Sequence, residues 1–210
     1  MNDLIKSNTL KDKDLYFLFF QLLYTLKILE NYKIMHNDLH IGNILIERLK
    51  QPITLSYKIK DRVYKFDTIH LLKIFDWDMS YCETIGINKK IDSDIFTCFG
   101  LNNKFTKGLD LFYVLCILNT FCSDVKFLNN EICLHKIIAI LLQDSIIQGN
   151  LQLDKKYPNH IDNFEKYSYD GNSCRPYYSI EHLESLDNIL FNPLFDYFLS
   201  NDSILSLIHI

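Results

Sequence analysis

The chain has 210 residues, of which 48% are hydrophobic, and a formal net charge of −4 at pH 7, so it can bury one sizeable core and build one domain. The negative charge and the lack of a long basic tract argue against nucleic acid as the main partner, and charges interrupt the apolar stretches too often for a membrane span. The six cysteines, at positions 82, 98, 116, 122, 133 and 174, have no paired spacing and form no zinc-like cluster with the seven histidines, which predicts reduced thiols in a cytoplasmic protein.

The first predicted element is a long helix over residues 14–32. It follows a polar segment, 1–13, that lacks the apolar core of a secretory signal. Leucine, phenylalanine and isoleucine occupy positions around most of the helix surface, with few helix breakers. Because such a helix has little polar surface to offer water, we expect it to lie in the core.

Polar side chains are concentrated just after this helix, in the segment from His36 to Asn43. Asp38 is followed five residues later by Asn43, and a second apolar run ends at Asp76. A carboxylate can accept the proton of an attacking hydroxyl, while carboxylate and amide oxygens can hold Mg²⁺ against nucleotide phosphates. The pattern therefore predicts an ATP- and Mg²⁺-dependent phosphate-transfer site, with Asp38 as the base and with Asn43 and Asp76 as ligands.

Short strands are predicted between these polar residues. Runs of apolar and β-branched residues indicate strands at 43–47, 54–60, 62–68 and 71–75, with a hairpin turn at Lys60 and Asp61. Asn43 therefore lies at the start of the first predicted strand, and Asp76 directly follows the last one. Buried strands form a rigid support that can aim polar side chains at a ligand.

The rest of the chain is predicted to be irregular and then helical. Residues 79–107 lack periodicity and are rich in polar residues, which is typical of a loop. An apolar helix over 108–118 carries Asp110 in its first turn, where capping and the helix dipole favour an acidic side chain. Further helices are predicted at 131–143, 180–190 and 191–210, around a polar, aromatic-rich loop at 157–178. These elements predict a mainly α fold with a small β-hairpin region (α+β).

The combined motifs resemble those of the protein-kinase-like superfamily. They are the His-x-Asp of residues 36–38, the Asn five residues after that Asp, and the Asp-aromatic-x of residues 76–78. The nearest likeness is to haspin-like and giant-virus-type serine/threonine kinases. The resemblance implies one C-terminal kinase lobe over 1–210, with a catalytic loop at 36–43, a metal-binding turn at 76–78, an activation-type segment at 79–107 and a helical remainder at 108–210.

The same resemblance implies roles for six residues. Asp38, His36 and His40 belong to the catalytic loop. Asn43 and Asp76 bind ATP and Mg²⁺. The carboxylate of Asp110 anchors the catalytic loop by receiving its backbone N–H groups.

Three positions depart from the protein-kinase pattern. Asn37 replaces the usual Arg, which argues against control by loop phosphorylation. His40 replaces the usual Lys, and the run from His36 to Asn43 is similar to that of aminoglycoside and choline kinases as well as haspin-like kinases. Asp78 replaces the usual Gly and adds a carboxylate beside the predicted metal. The acceptor hydroxyl is therefore expected on a protein or on a small molecule.

A small kinase lobe, with its Gly-rich strands and its Lys–Glu pair, is not found before the first helix. Three interpretations follow. The chain is the catalytic lobe of a kinase acting with a separate N-lobe or a partner protein; or it is an inactive or truncated pseudokinase that serves as a binding module; or it is a small-molecule phosphotransferase.

The composition also bears on the source of the chain. Abundant Ile, Asn and Lys, with few Gly and Pro, indicate an AT-rich coding genome, as in giant DNA viruses or some protists. The expected location is the cytoplasm, which for a viral chain means the host cytoplasm or the virion.

Overall fold

The computed structural model of the chain describes residues 12–92, 101, 103–114 and 184–199. Several predictions lie outside these residues: the helix at 131–143, the aromatic-rich loop at 157–178, the chain beyond 199, and parts of the activation-type segment and of the helix at 108–118. The described residues nevertheless include every residue to which the sequence gives a role in phosphate transfer.

The predicted core helix is present as α1 (Asp12–Asn31). It has buried side chains on most of its surface, as the apolar pattern indicates: Leu15, Phe17, Leu18, Phe19, Phe20, Leu22, Leu23 and Leu26. Burial of a large apolar side chain contributes roughly 1.5–3 kcal/mol to folding. The helix is therefore a main source of stability, and it ends three residues before the strand that leads into the loop 36–43.

A long antiparallel hairpin follows, made of β2 (Ile44–Ile59) and β3 (Arg62–Ile74). Its two-residue turn is the predicted one, and Lys60 adopts a left-handed backbone there, with a φ of 54°. Midway along β2 the register shifts, since Arg48 pairs with His70 and Ile53 pairs with Thr68. The extra β2 residues at this bulge include Pro52, which has no N–H to donate to a ladder.

The prediction of a mainly α fold is wrong for the described residues. About 32% of them lie in antiparallel strands, and the described helices other than α1 are short. The four short strands predicted at 43–47, 54–60, 62–68 and 71–75 are two long ones. The sequence predicts breaks at 48–53 and 69–70, but the bulge accommodates the irregular residues of β2, and β3 continues through His70.

The core lies between α1, one face of β3 and the segment 184–199. Ring stacking is extensive there: Phe20 lies 4.9 Å from both Tyr64 and Phe66, measured between ring centroids, and 5.2 Å from Phe195. The last segment consists of α3 (Leu186–Leu190) and the 3₁₀ turn Pro193–Phe198. These contacts join residues far apart in the sequence and fix the hairpin against α1.

Shorter elements complete the frame around the polar residues. Strand β1 (Ile34–Met35) pairs with β4 (Tyr81–Cys82), and 3₁₀ turns lie at Ile41–Asn43 and Trp77–Met79. Residues 109–114 form α2, as far as it is described. Within the described ranges, no helix is long and apolar enough to cross a membrane.

Candidate active site

The Asp110 carboxylate holds the start of the loop 36–43. Its Oδ2 accepts the N–H of His36 at 2.8 Å, and its Oδ1 accepts the N–H of Asn37 at 3.0 Å. All three residues are buried, and Asn37 has a φ of 71°. Two charge-assisted hydrogen bonds in a buried place are strong constraints, so α2 fixes the backbone path just before Asp38.

His36 links the loop to the strand end that precedes Asp76. Its Nε2 lies 2.9 Å from the carbonyl oxygen of Phe75, and its Nδ1 accepts the N–H of Asp38 at 3.3 Å. This network assigns the ring hydrogen to Nε2, which donates to the carbonyl. The Trp77 ring packs on the imidazole at 4.8 Å between centroids. Fully buried and bonded through both nitrogens, His36 positions the backbone at Asp38 and at Phe75, the residue before Asp76.

Asn43 joins the predicted base to the predicted metal turn. Its side-chain Nδ2 donates to the carbonyl oxygen of Asp38 at 2.9 Å, and its own carbonyl accepts the N–H of Phe75 at 3.1 Å. The second contact extends the hairpin ladder by one step beyond the pair Ile44–Ile74. The structure thus brings Asp38, Asn43 and the residue before Asp76 to the same end of the hairpin.

The two carboxylates differ from Asn43 in their exposure. Asn43 is 4% exposed, Asp38 is half-buried and Asp76 is exposed. Asp76 also has a left-handed backbone, with φ 61° and ψ 64°. Such a conformation costs a non-glycine residue roughly 1 kcal/mol and is common at functional sites. It turns the chain sharply from β3 into the 3₁₀ turn.

His40 lies beside Asp38 on the exposed side of the loop. Its Nδ1 accepts the N–H of Gly42 at 3.0 Å, and its Nε2 lies 3.7 Å from Oδ2 of Asp38. Both side chains are partly open to water. Of the three residues predicted to belong to a catalytic loop, Asp38 and His40 are therefore open to water, and His36 is not.

The turn at residues 76–78, predicted to bind a metal, is held by residues that the sequence does not mark. Asn88 donates through Nδ2 to the carbonyl oxygens of Asp78 and Ser80, at 2.9 and 2.8 Å, and Lys90 forms an ion pair with Asp78. Asp78 is thus paired with a lysine. No sequence signal marks Asn88, because a polar residue in a loop carries no periodicity that would reveal a contact with a carbonyl group eight residues away.

The donor set suits Mg²⁺ bound together with phosphates. Within the described part of the chain, no group of three or more His, Cys, Asp or Glu side chains could hold a metal ion. Mg²⁺ does not require such a cage, because it commonly binds one or two carboxylates, substrate phosphates and water. With the amide nitrogen of Asn43 engaged by Asp38, its amide oxygen is the atom suited to a cation, and exposed Asp76 can supply a carboxylate.

A short match links the chain to a viral protein. Over 50 residues it is 42% identical to Uncharacterized protein 179R of Invertebrate iridescent virus 6. The match covers 24% of this chain and 4% of the viral protein, so the chain spans a small fraction of that relative's length. No protein-family model matches the chain, and no solved structure matches it.

Proposed function

We propose that this chain carries the phosphate-transfer site of a protein-kinase-like enzyme, which moves the γ-phosphate of ATP to a hydroxyl group of a protein. The observation that carries the proposal is the pair of hydrogen bonds through Asn43, one to Asp38 and one to Phe75. Together they hold a base candidate and a metal-turn candidate at one end of a rigid hairpin. Phosphoryl transfer depends mainly on such positioning and on electrostatic stabilisation.

Each polar residue has a distinct task in this proposal. The half-buried carboxylate of Asp38 orients the acceptor hydroxyl and takes its proton. The amide oxygen of Asn43 and the carboxylate of Asp76 hold Mg²⁺, which when bound neutralises charge on the transferring phosphate. Asp110 and His36 keep the backbone around these groups in place.

Calorimetry of Mg²⁺-ATP binding to the full chain is the first test. The wild-type protein is expected to bind ATP only with Mg²⁺ present, and Asp76→Ala is expected to lose that binding. Asp67→Ala is a matched control, because Asp67 is another exposed carboxylate of the hairpin and bonds Thr54. Equal binding by the wild type and Asp76→Ala would contradict the assignment of Asp76, and no binding at all would favour the pseudokinase interpretation.

The second test is catalysis with ATP and a panel of acceptors. Asp38→Asn is expected to abolish transfer of labelled phosphate to a protein acceptor while leaving Mg²⁺-ATP binding intact. Transfer to aminoglycosides or choline instead of protein would assign the acceptor to the small-molecule class. Full activity of Asp38→Asn would rule out Asp38 as the base.

The viral match and the composition support a viral source for this activity. Mg²⁺ and ATP are both abundant in the cytoplasm. We therefore propose the host cytoplasm as the place where the enzyme acts.

A further inference from the structure

The loop holds a second histidine, His40, in a defined orientation next to Asp38. The N–H of Gly42 donates to Nδ1 of His40 at 3.0 Å, so that nitrogen carries no hydrogen in the neutral ring. The ring hydrogen is then on Nε2, and Nε2 lies 3.7 Å from Oδ2 of Asp38. The donor side of the imidazole thus faces the carboxylate.

Gly42 leaves the room that the imidazole needs. A Cβ atom at position 42 would lie 2.7 Å from Cε1 and 2.9 Å from Nδ1 of His40. Gly42 is not among the residues with positive φ, so the need for glycine is steric and does not come from the backbone conformation. Any larger residue at 42 would therefore force the His40 ring to shift from its present position beside Asp38.

We infer that His40 is a positioning residue for Asp38, held by Gly42, and that it orients the carboxylate through its Nε2–H. The inference rests on the proposed function, because orientation of Asp38 matters when Asp38 acts on a hydroxyl. A separation of 3.7 Å is longer than a formed hydrogen bond, but contacts of catalytic groups are often long before substrate binds and shorten in the complex. With Oδ2 facing His40, Oδ1 is assigned to the acceptor hydroxyl.

The competing interpretation is an ordinary surface pair. The two side chains are 56% and 37% exposed, and exposed pairs contribute little to stability. The interpretations differ in what substitution changes. If the two side chains form only a surface pair, substitution of His40 or of Gly42 leaves the rate of phosphate transfer unchanged. If His40 is a positioning residue, either substitution lowers that rate.

Kinetics of single and double variants provide the main test. His40→Ala is expected to lower kcat about 10- to 100-fold, the size of effect that a small misplacement can have, without raising the KM for ATP, because Asn43 and Asp76 are unchanged. His40→Gln, which keeps an N–H donor at a similar reach, should restore part of kcat. Gly42→Ala should match His40→Ala, and the double variant should be no slower than either one.

Gly86→Ala is a control for the addition of a methyl group away from the loop 36–43. Its Cβ would lie where no atom is within 4 Å, but the φ of 95° strains the backbone of an alanine there. The folded variant should therefore lose some stability and keep the wild-type kcat. Wild-type kcat in His40→Ala would overturn the inference. So would a double variant whose loss is the product of the two single losses, since two independent sites would then be indicated.

Histidine ¹⁵N NMR gives a readout that needs no activity. In the full chain, Asp38→Asn is expected to shift the Nε2 resonance of His40 and to leave that of His70 unchanged. If the wild type transfers no phosphate but this shift appears, the proposed function fails and the His40–Asp38 pairing stands. An unchanged His40 resonance overturns the pairing whatever the activity.

Discussion

At the scale of single residues, buried hydrogen-bond partners decide the geometry of the candidate site. Asp110, His36 and Asn37 are all buried, and their bonds are made mostly to backbone atoms. A buried donor that loses its partner cannot turn to water instead, so its desolvation is not compensated. Substitution of one such residue should therefore affect stability more than substitution of the exposed Asp76.

Asp110→Ala is expected to destabilise the protein by about 1–3 kcal/mol for each of the two N–H groups left without their acceptor. Asp110→Asn keeps one carbonyl oxygen and should lose less. Urea unfolding of the three proteins measures the differences. If Asp110→Ala is as stable as the wild type, other contacts hold the loop.

Glu30 provides a test of pH dependence. Its Oε1 accepts the N–H of Gly108 at 3.1 Å, and burial raises its pKa above the ordinary 4.5, although this hydrogen bond and the nearby Lys107 and Lys27 oppose the rise. A raised pKa in the folded state means that the folded protein binds the proton more tightly. Glu30 therefore contributes stability that is fully present below pH 4.5 and is lost as the pH rises through the folded-state pKa.

Glu30→Gln removes this titration and keeps an acceptor for Gly108. The stability of the wild type relative to this variant is expected to fall as the pH rises from below 4.5 to neutral. Urea unfolding of both proteins across that range measures it, and the other titrating groups cancel in the difference. A relative stability that rises with pH would mean that the hydrogen bond and the lysines outweigh burial.

At the scale of elements, the hairpin is the part of the fold that the sequence predicted least completely. The turn at Lys60 and Asp61 follows from local patterns, and so does the position of Asn43 at a strand end. The continuity of β2 and β3 does not follow from local patterns. It depends on a bulge around Pro52 and on a hydrogen bond from β3 to Gln21, which lies in α1. A contact that another element makes with a strand does not appear as a periodic pattern in the sequence of that strand.

Gln21→Ala should loosen β3 from α1. The Gln21 side chain donates to the carbonyl oxygen of His70 at 3.1 Å and accepts the N–H of Leu72 at 3.0 Å. Its loss leaves the part-buried N–H of Leu72 without this acceptor, which is expected to cost about 1–3 kcal/mol, whereas the His70 carbonyl still accepts the Thr68 hydroxyl at 3.2 Å. Amide hydrogen exchange should show faster exchange at Leu72.

Thr25→Ala is the control for this prediction. The Thr25 hydroxyl bonds to the carbonyl oxygen of Gln21 within the same helix, at 2.8 Å. Its removal should leave exchange at Leu72 unchanged. Unchanged exchange at Leu72 in Gln21→Ala would show that the side chain does not brace β3.

At the scale of the whole molecule, ligand binding should raise the stability of the folded protein. A ligand at 100 times its Kd stabilises the folded state by about 2.7 kcal/mol. Mg²⁺-ATP is therefore expected to raise the melting temperature of the wild type and not that of Asp76→Ala. ATP with EDTA in place of Mg²⁺ is the control, and an equal rise with EDTA would mean that the nucleotide binds without the metal.

The residues of the candidate site can be selected from the sequence more easily than the fold that carries them, and their roles in phosphate transfer stay predictions. Asp38, Asn43 and Asp76 have a spacing that matches known chemistry, so the sequence alone points to them. The roles of Asn88 and Trp77 arise only once the chain has folded, because each contacts atoms that no local pattern associates with it. The same is true of the steric pairing of Gly42 with His40.

The anchoring of the loop by Asp110 also has a consequence for the order of folding. The hydrogen bond from His36 to Asp110 joins residues 74 positions apart, and contacts of such long range form slowly because a long loop must close first. During synthesis, a nascent chain that ends before α2 already holds Asp38, Asn43 and Asp76 but lacks the carboxylate that fixes the loop. The predicted catalytic residues are thus made early, and the geometry that they need is completed late.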